Sequence, residues 1–159
     1  MIIDAQNSFT ATSNGALTGD SPTSHSSPTP STNVIDLGVN RDIGGAVTDD
    51  LYLLCEVTTA FSSGGSATLQ VQYQIAPNNA GSPGAWATYA ESDAIPVASI
   101  VQGYKFLQDR PVSPPAGSEG RFHRLNFVIG TADMTGGTIV AGFTPALQHS
   151  PTYARGYTA

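Results

Sequence analysis

The three histidines come first, because an imidazole can serve nucleophilic catalysis, proton transfer and metal ligation alike. They are His25, His123 and His149. A Ser or Cys nucleophile would need one of them beside it, oriented by a carboxylate. His25 sits in a Ser/Thr/Pro stretch, a solvated position. His123 alternates in phase with Leu125 and Phe127, which reads as a partly buried structural residue. His149 follows the last apolar run, in a tail. No Gly-x-Ser-x-Gly elbow occurs, and Ser66 after Gly64-Gly65 reads as a hairpin exit. The single cysteine, Cys55, alternates with leucines and is expected to be an inert buried thiol. It also excludes an internal disulfide. The histidines lack the paired spacing of metal ligands, and Asp49-Asp50 and Asp133 fall in turns without the alternating oxygens of a calcium loop. No catalytic, cofactor or metal site is therefore expected. A hydrolase on a sandwich scaffold is the rival to test, through His123→Ala and His149→Ala.

The remaining side chains suit contact rather than chemistry. Arg121, His123 and Arg124 cluster on one apolar-alternating run, and arginine is a common interface residue. A solvated strand edge would use the same residues to discourage stray pairing. Tyr153, Arg155 and Tyr157 lie beyond the last such run, where aromatics need something to pack on. Ile2, Ile3 and Phe9 supply apolar anchors at the other end. These eight are the candidate residues for contact with another chain: Ile2, Ile3, Phe9, Arg121, Arg124, Tyr153, Arg155 and Tyr157. A sugar-binding module would instead use Trp86, Tyr89 and Tyr104 as a stacking platform, against the simpler expectation that they pack in the core or an interface.

Composition decides what can position these residues. The chain has 159 residues and a net charge of −6, and only 11% are charged. Ser, Thr, Gly and Pro together make 61 of the residues, a mixture that starves helices. An acidic chain with so few cations offers no phosphate-binding surface, so nucleic acid is not an expected partner. No run is long and apolar enough to span a membrane, and no signal peptide is expected from the opening residues.

Alternation then gives the elements. Leu51, Leu53, Cys55 and Val57 are in phase, as are Leu69, Val71, Tyr73 and Ile75 with Gln70, Gln72 and Gln74 opposite. Leu125, Phe127 and Ile129 form a third run, and Ile139, Ala141 and Phe143 a fourth. Shorter strands are expected at 85–89, 95–100 and 104–107, with at most one helical turn near 94–102. Ser62-Ser63-Gly64-Gly65, Pro77-Asn78-Asn79, Ser82-Pro83-Gly84, Pro114-Pro115-Ala116-Gly117 and Met134-Thr135-Gly136-Gly137 read as turns. The pattern predicts an all-β, antiparallel jelly-roll or β-sandwich over residues 34–147. Ahead of it, nine of the fifteen residues from Thr18 to Thr32 are Ser or Thr, with no apolar side chain among them. Residues 1–33 are read as an extended arm reaching over another subunit, against a linker reading, and 148–159 as a tail. On the arm reading, deleting residues 1–33 weakens attachment to a partner without unfolding the sandwich.

One ordered set of segments carries a resemblance. Ile2-Ile3-Asp4-Ala5 is followed by the polar arm, Ser31–Gly38, Arg41-Asp42-Ile43-Gly44, the 51–58 strand, Gly65–Gln72, Gly120–Phe127, Thr135–Gly142 and the Tyr/Arg tail. This set resembles the capsid cement, or decoration, proteins of tailed phages of the short-tailed Bordetella phage type. The resemblance implies a jelly roll on the outer surface of the virion head, made in the bacterial cytoplasm. It implies binding to the major capsid protein across seams between capsomers, assembly with itself as a homodimer or a trimer, and no catalysis. The alternative is a receptor- or carbohydrate-binding jelly roll of a phage tail or vertex.

Overall fold

The computed structural model describes residues 6–14, 16–40, 42–43, 51–107, 111 and 113–144. Four long strands follow the apolar alternation: Tyr52–Ser63, Thr68–Ala76, Phe122–Gly130 and Met134–Thr144. Among the described residues the only helix is a 3-10 turn at Val97–Ser99, directly after a two-residue strand, Ile95–Pro96. No helix there is long and apolar enough to cross a membrane.

The strands stack as two antiparallel layers. In one, Phe122–Gly130 pairs with Thr68–Ala76 over nine residues. Thr29–Pro30 and Ile35–Asp36 close one edge of this layer, and Ala87–Glu91 with Ile95–Pro96 close the other. In the second, Met134–Thr144 pairs with Tyr52–Ser63. Its edges are a bridge at Lys105 on one side and bridges at Ser8 and Asp20 on the other. With the passes numbered along the chain as 8–20 (one), 29–36 (two), Tyr52–Ser63 (three), Thr68–Ala76 (four), 87–96 (five), the bridge at Lys105 (six), Phe122–Gly130 (seven) and Met134–Thr144 (eight), the second layer runs six–three–eight–one and the first two–seven–four–five. That order is the two interlocked Greek keys of a jelly roll.

The core lies between the layers because alternate residues of each central strand point inward. Leu53, Cys55, Val57 and Phe61 meet Leu69, Val71, Tyr73 and Ile75, with Leu125, Phe127, Ile139 and Phe143 filling between them. Burial pushes the Cys55 thiol well above its ordinary pKa, so it is protonated and unreactive.

The first pass departs from an arm over another subunit. Phe9 is 0% exposed and packs edge-on against Phe143 at 4.9 Å and Tyr73 at 6.3 Å. Its amide donates to the Ala141 carbonyl, and the Asp20 amide donates to Ile139. Polar residues suffice here because an edge strand needs one row of backbone partners and little apolar burial. Proline is tolerated there for the same reason, as at Pro30. Between Ser8 and Asp20 the chain makes a small hairpin, Thr12–Ser13 with Ala16–Leu17. Its Leu17 covers Leu54 and Val140, which face outward from the second layer.

Asp20 fastens this excursion. Its carboxylate accepts hydrogen bonds from the Ala11 amide at 2.9 Å, the Thr32 amide at 2.9 Å and the Thr32 hydroxyl at 2.6 Å. Gly19 beside it has φ +79°, and a Cβ there would lie 2.6 Å from Thr138 Cγ2 and 2.7 Å from the Ile139 carbonyl oxygen. Gly19→Ala therefore incurs both a left-handed-backbone cost and overpacking, about 2–4 kcal/mol together. Thermal unfolding of that variant should come roughly 5–15 °C below the parent. A shift under 2 °C would show that the excursion is not held against the sheet.

Candidate interaction surface

The eight residues expected to meet another chain divide three ways. Ile2, Ile3, Tyr153, Arg155 and Tyr157 lie outside the described residues, as does His149. Phe9 is in the core of its own domain, so it is not a free contact residue. Arg121 and Arg124 are half-buried on the outward face of the first layer. Arg121 grips Asp36 through Nε–Oδ1 at 2.5 Å and Nη2–Oδ2 at 2.6 Å, with its guanidinium 4.9 Å from the Phe122 ring centre. The Arg121 hydrogen bonds, helped by the Gly38 amide, hold the Asp36 carboxyl down at about 2. The pair ties Ile35–Asp36 to the end of Phe122–Gly130.

Arg124 opens a more ordered arrangement. Register places Asn126 opposite Gln72 and Arg124 opposite Gln74, and on the next strand Gln72 faces Glu91 and Gln74 faces Thr88. Two rows of three side chains thus cross three strands. In one row Arg124 Nε donates to Gln74 Oε1 at 2.9 Å, and Gln74 Nε2 donates to the Thr88 hydroxyl at 3.2 Å. In the other, Asn126 Nδ2 donates to Gln72 Oε1 at 2.9 Å, and Gln72 Nε2 donates to Glu91 Oε2 at 3.2 Å. The chemistry of the ends fixes the amide orientations. Arginine only donates, so Gln74 must turn its oxygen toward Arg124; an ionised Glu91 only accepts, so Gln72 must turn its nitrogen toward it. Trp86 covers the Arg124 guanidinium at 4.2 Å, a cation–π contact.

Gln74 and Asn126 are buried within these rows, so what reaches the surface is Gln72, Arg124 and Glu91, already held by their neighbours. Ordering a free Gln or Arg at an interface costs on the order of 1 kcal/mol each, and here that ordering precedes any partner. The alternating glutamines were the visible signal in the sequence; Glu91, Thr88 and Asn126 as their partners were not.

The other candidates resolve by position. Trp86 and Tyr89 belong to the edge of the first layer, whereas Tyr104 packs on Phe106 at 5.0 Å along the second. The three therefore do not form one stacking platform. His25 pairs with Asp133 at 2.6 Å across 108 residues and pins the connection between the first and second passes to the turn before Met134. His123 is fully buried, with Nδ1 2.5 Å from the Tyr73 hydroxyl and Nε2 without a hydrogen-bond partner. Among the described residues no group of three or more His, Cys, Asp or Glu could hold a metal ion.

Comparison with known proteins adds one result. The family model Bbp16 matches residues 25–143, about three quarters of the chain, from the second pass of the jelly roll into the eighth. No curated protein matches the chain.

Proposed function

The chain belongs to the Bbp16 family, which takes its name from a Bordetella phage protein, and we propose that it is a cement protein of a phage head. On this reading it sits on the outer capsid surface, binds the major capsid protein across seams between capsomers, and assembles with itself. It performs no catalysis.

The observation that supports this most directly is the outward set of Gln72, Arg124 and Glu91, held in place before any docking by the buried Gln74 and Asn126 and by Trp86. A packaged genome presses outward, and a cement resists by adding contact area across seams. A face whose side chains are already fixed loses little entropy when it docks. Only 11% of the residues are charged, which leaves attachment less dependent on ionic strength. Linking copies adds avidity to many weak contacts.

The composition of purified particles tests the reading. The chain is expected in whole-number stoichiometry with the shell subunit. A handful of copies per particle would move it to a tail or vertex, and absence would overturn the proposal. Arg124→Glu reverses one end of the polar rows without touching the core. It should lower shell occupancy about 10-fold at limiting protein, the effect of one central interface residue. Unchanged occupancy would remove this face from the contact.

A further inference from the structure

Between the first and second passes a cavity of about 200 Å³ opens at the side of the sandwich. Asp20 and Thr32 line it with Ser21, Pro22, Pro30 and Phe127. We propose that this cavity is a socket for an arginine side chain presented by a partner protein, a role that takes its partner from the proposed function.

Size excludes larger occupants. Sites for drug-sized ligands run to roughly 300–1,000 Å³, so this space suits one side chain. The lining is divided as an arginine is divided. Pro22 and Pro30 offer apolar surface for the methylene stem, and Asp20 offers a carboxylate for the guanidinium. Asp20 is the one ionisable residue lining it. Among the described residues no Lys, Arg or His pairs with that carboxylate.

The hydrogen-bond count leaves room for a donor. A carboxylate accepts about four hydrogen bonds. Oδ1 of Asp20 accepts two, from Ala11 and the Thr32 hydroxyl, and Oδ2 accepts one, from the Thr32 amide. These contacts fix the carboxylate, which is 8% exposed, before any ligand arrives. The two prolines stiffen the walls. A charge-assisted hydrogen bond to a held acceptor inside a partly enclosed space is stronger than one at an open surface.

The test uses the intact chain and N-acetyl-arginine-N-methylamide, followed by amide chemical shifts. Saturable shifts at Ala11 and Thr32 in the millimolar range are expected, with no saturation by the citrulline analogue, which has the same shape and no charge. Ser21→Leu keeps the carboxylate and its three hydrogen bonds but fills the mouth; it should weaken binding at least 10-fold, and so should Asp20→Asn. Where Asp20→Asn does not fold, Ser21→Leu carries the comparison. No saturation by the arginine probe, equal shifts from citrulline, or unchanged affinity in Ser21→Leu would each overturn the socket. The assay involves no capsid, so its failure leaves particle composition to decide the cement reading separately.

Discussion

A chain lacking residues 1–33 is expected to lose its cooperative unfolding transition. Those residues supply one edge of each layer. Phe9 fills the core against Phe143 and Tyr73, and Ser31 donates its amide to Leu125 while its hydroxyl accepts from the Leu125 amide. Removing Phe9 alone, as Phe9→Ala, costs about 3–5 kcal/mol. Stripping both edges as well also exposes Ile139 and Phe127 and leaves the backbone groups of Leu125, Ile139 and Ala141 without partners. A domain of this size has only about 5–15 kcal/mol in total. Circular dichroism on heating and limited proteolysis check the outcome, with Phe9→Ala as the graded companion, expected roughly 6–20 °C below the parent. A truncated chain that melts cooperatively within a few degrees of the full one would show that the first pass only decorates the sandwich. Where the truncated chain is unfolded, as expected, any loss of partner binding measures unfolding and not the contribution of an arm.

This outcome reverses what composition suggests, and the reason is physical. Central strands are legible because two environments alternate along them: Leu69, Val71, Tyr73 and Ile75 face the core, while Gln70, Gln72 and Gln74 face out. Edge passes need only backbone partners, so Ser, Thr and Pro serve as well as Val or Ile. The stretch from Thr18 to Thr32 therefore reads as linker although its amides and carbonyls complete a sheet. Asp20, the residue that fastens it, gives no local sign of being buried.

Glycine misleads in the other direction. Gly136-Gly137 reads as a turn, yet Met134–Thr144 runs through both with three shifts of register. Gly137, at φ +127°, lets the chain pass over Phe61, whose ring would lie 2.4 Å from any Cβ there. The site was half legible on the same grounds. The outward glutamines follow from alternation, but a partner 54 residues away, as for Gln72 and Asn126, follows only from strand order.

Acid should destabilise the domain in a window set by His123. Desolvation is the leading cause that lowers its pKa from 6.5 to about 4, with the nearby Gly120 backbone acting the other way. The surroundings of the ring explain why a proton is unwelcome. A protonated ring is a donor at both nitrogens, so Nδ1 could only donate to the Tyr73 hydroxyl 2.5 Å away, and the added charge would sit in a space closed to water. The ring is further enclosed by Tyr73 stacked at 5.8 Å and Phe143 edge-on at 6.3 Å. Since the folded value is the lower one, the unfolded chain binds the proton first. Stability is complete above pH 6.5, declines as pH falls through the interval to 4, and has then lost about 3 kcal/mol. The Asp36 carboxyl, held at about 2, acts in a separate window, its contribution fading only below 3.8. Urea unfolding at pH 7.0, 5.5 and 4.5 reads the first window alone. The double variant Tyr73→Phe with His123→Leu removes the titrating ring without orphaning the hydroxyl, and its stability should be flat over the same range. A parent protein equally flat would mean that the folded core takes up the proton without penalty, and that His123 is not sealed as its neighbours require.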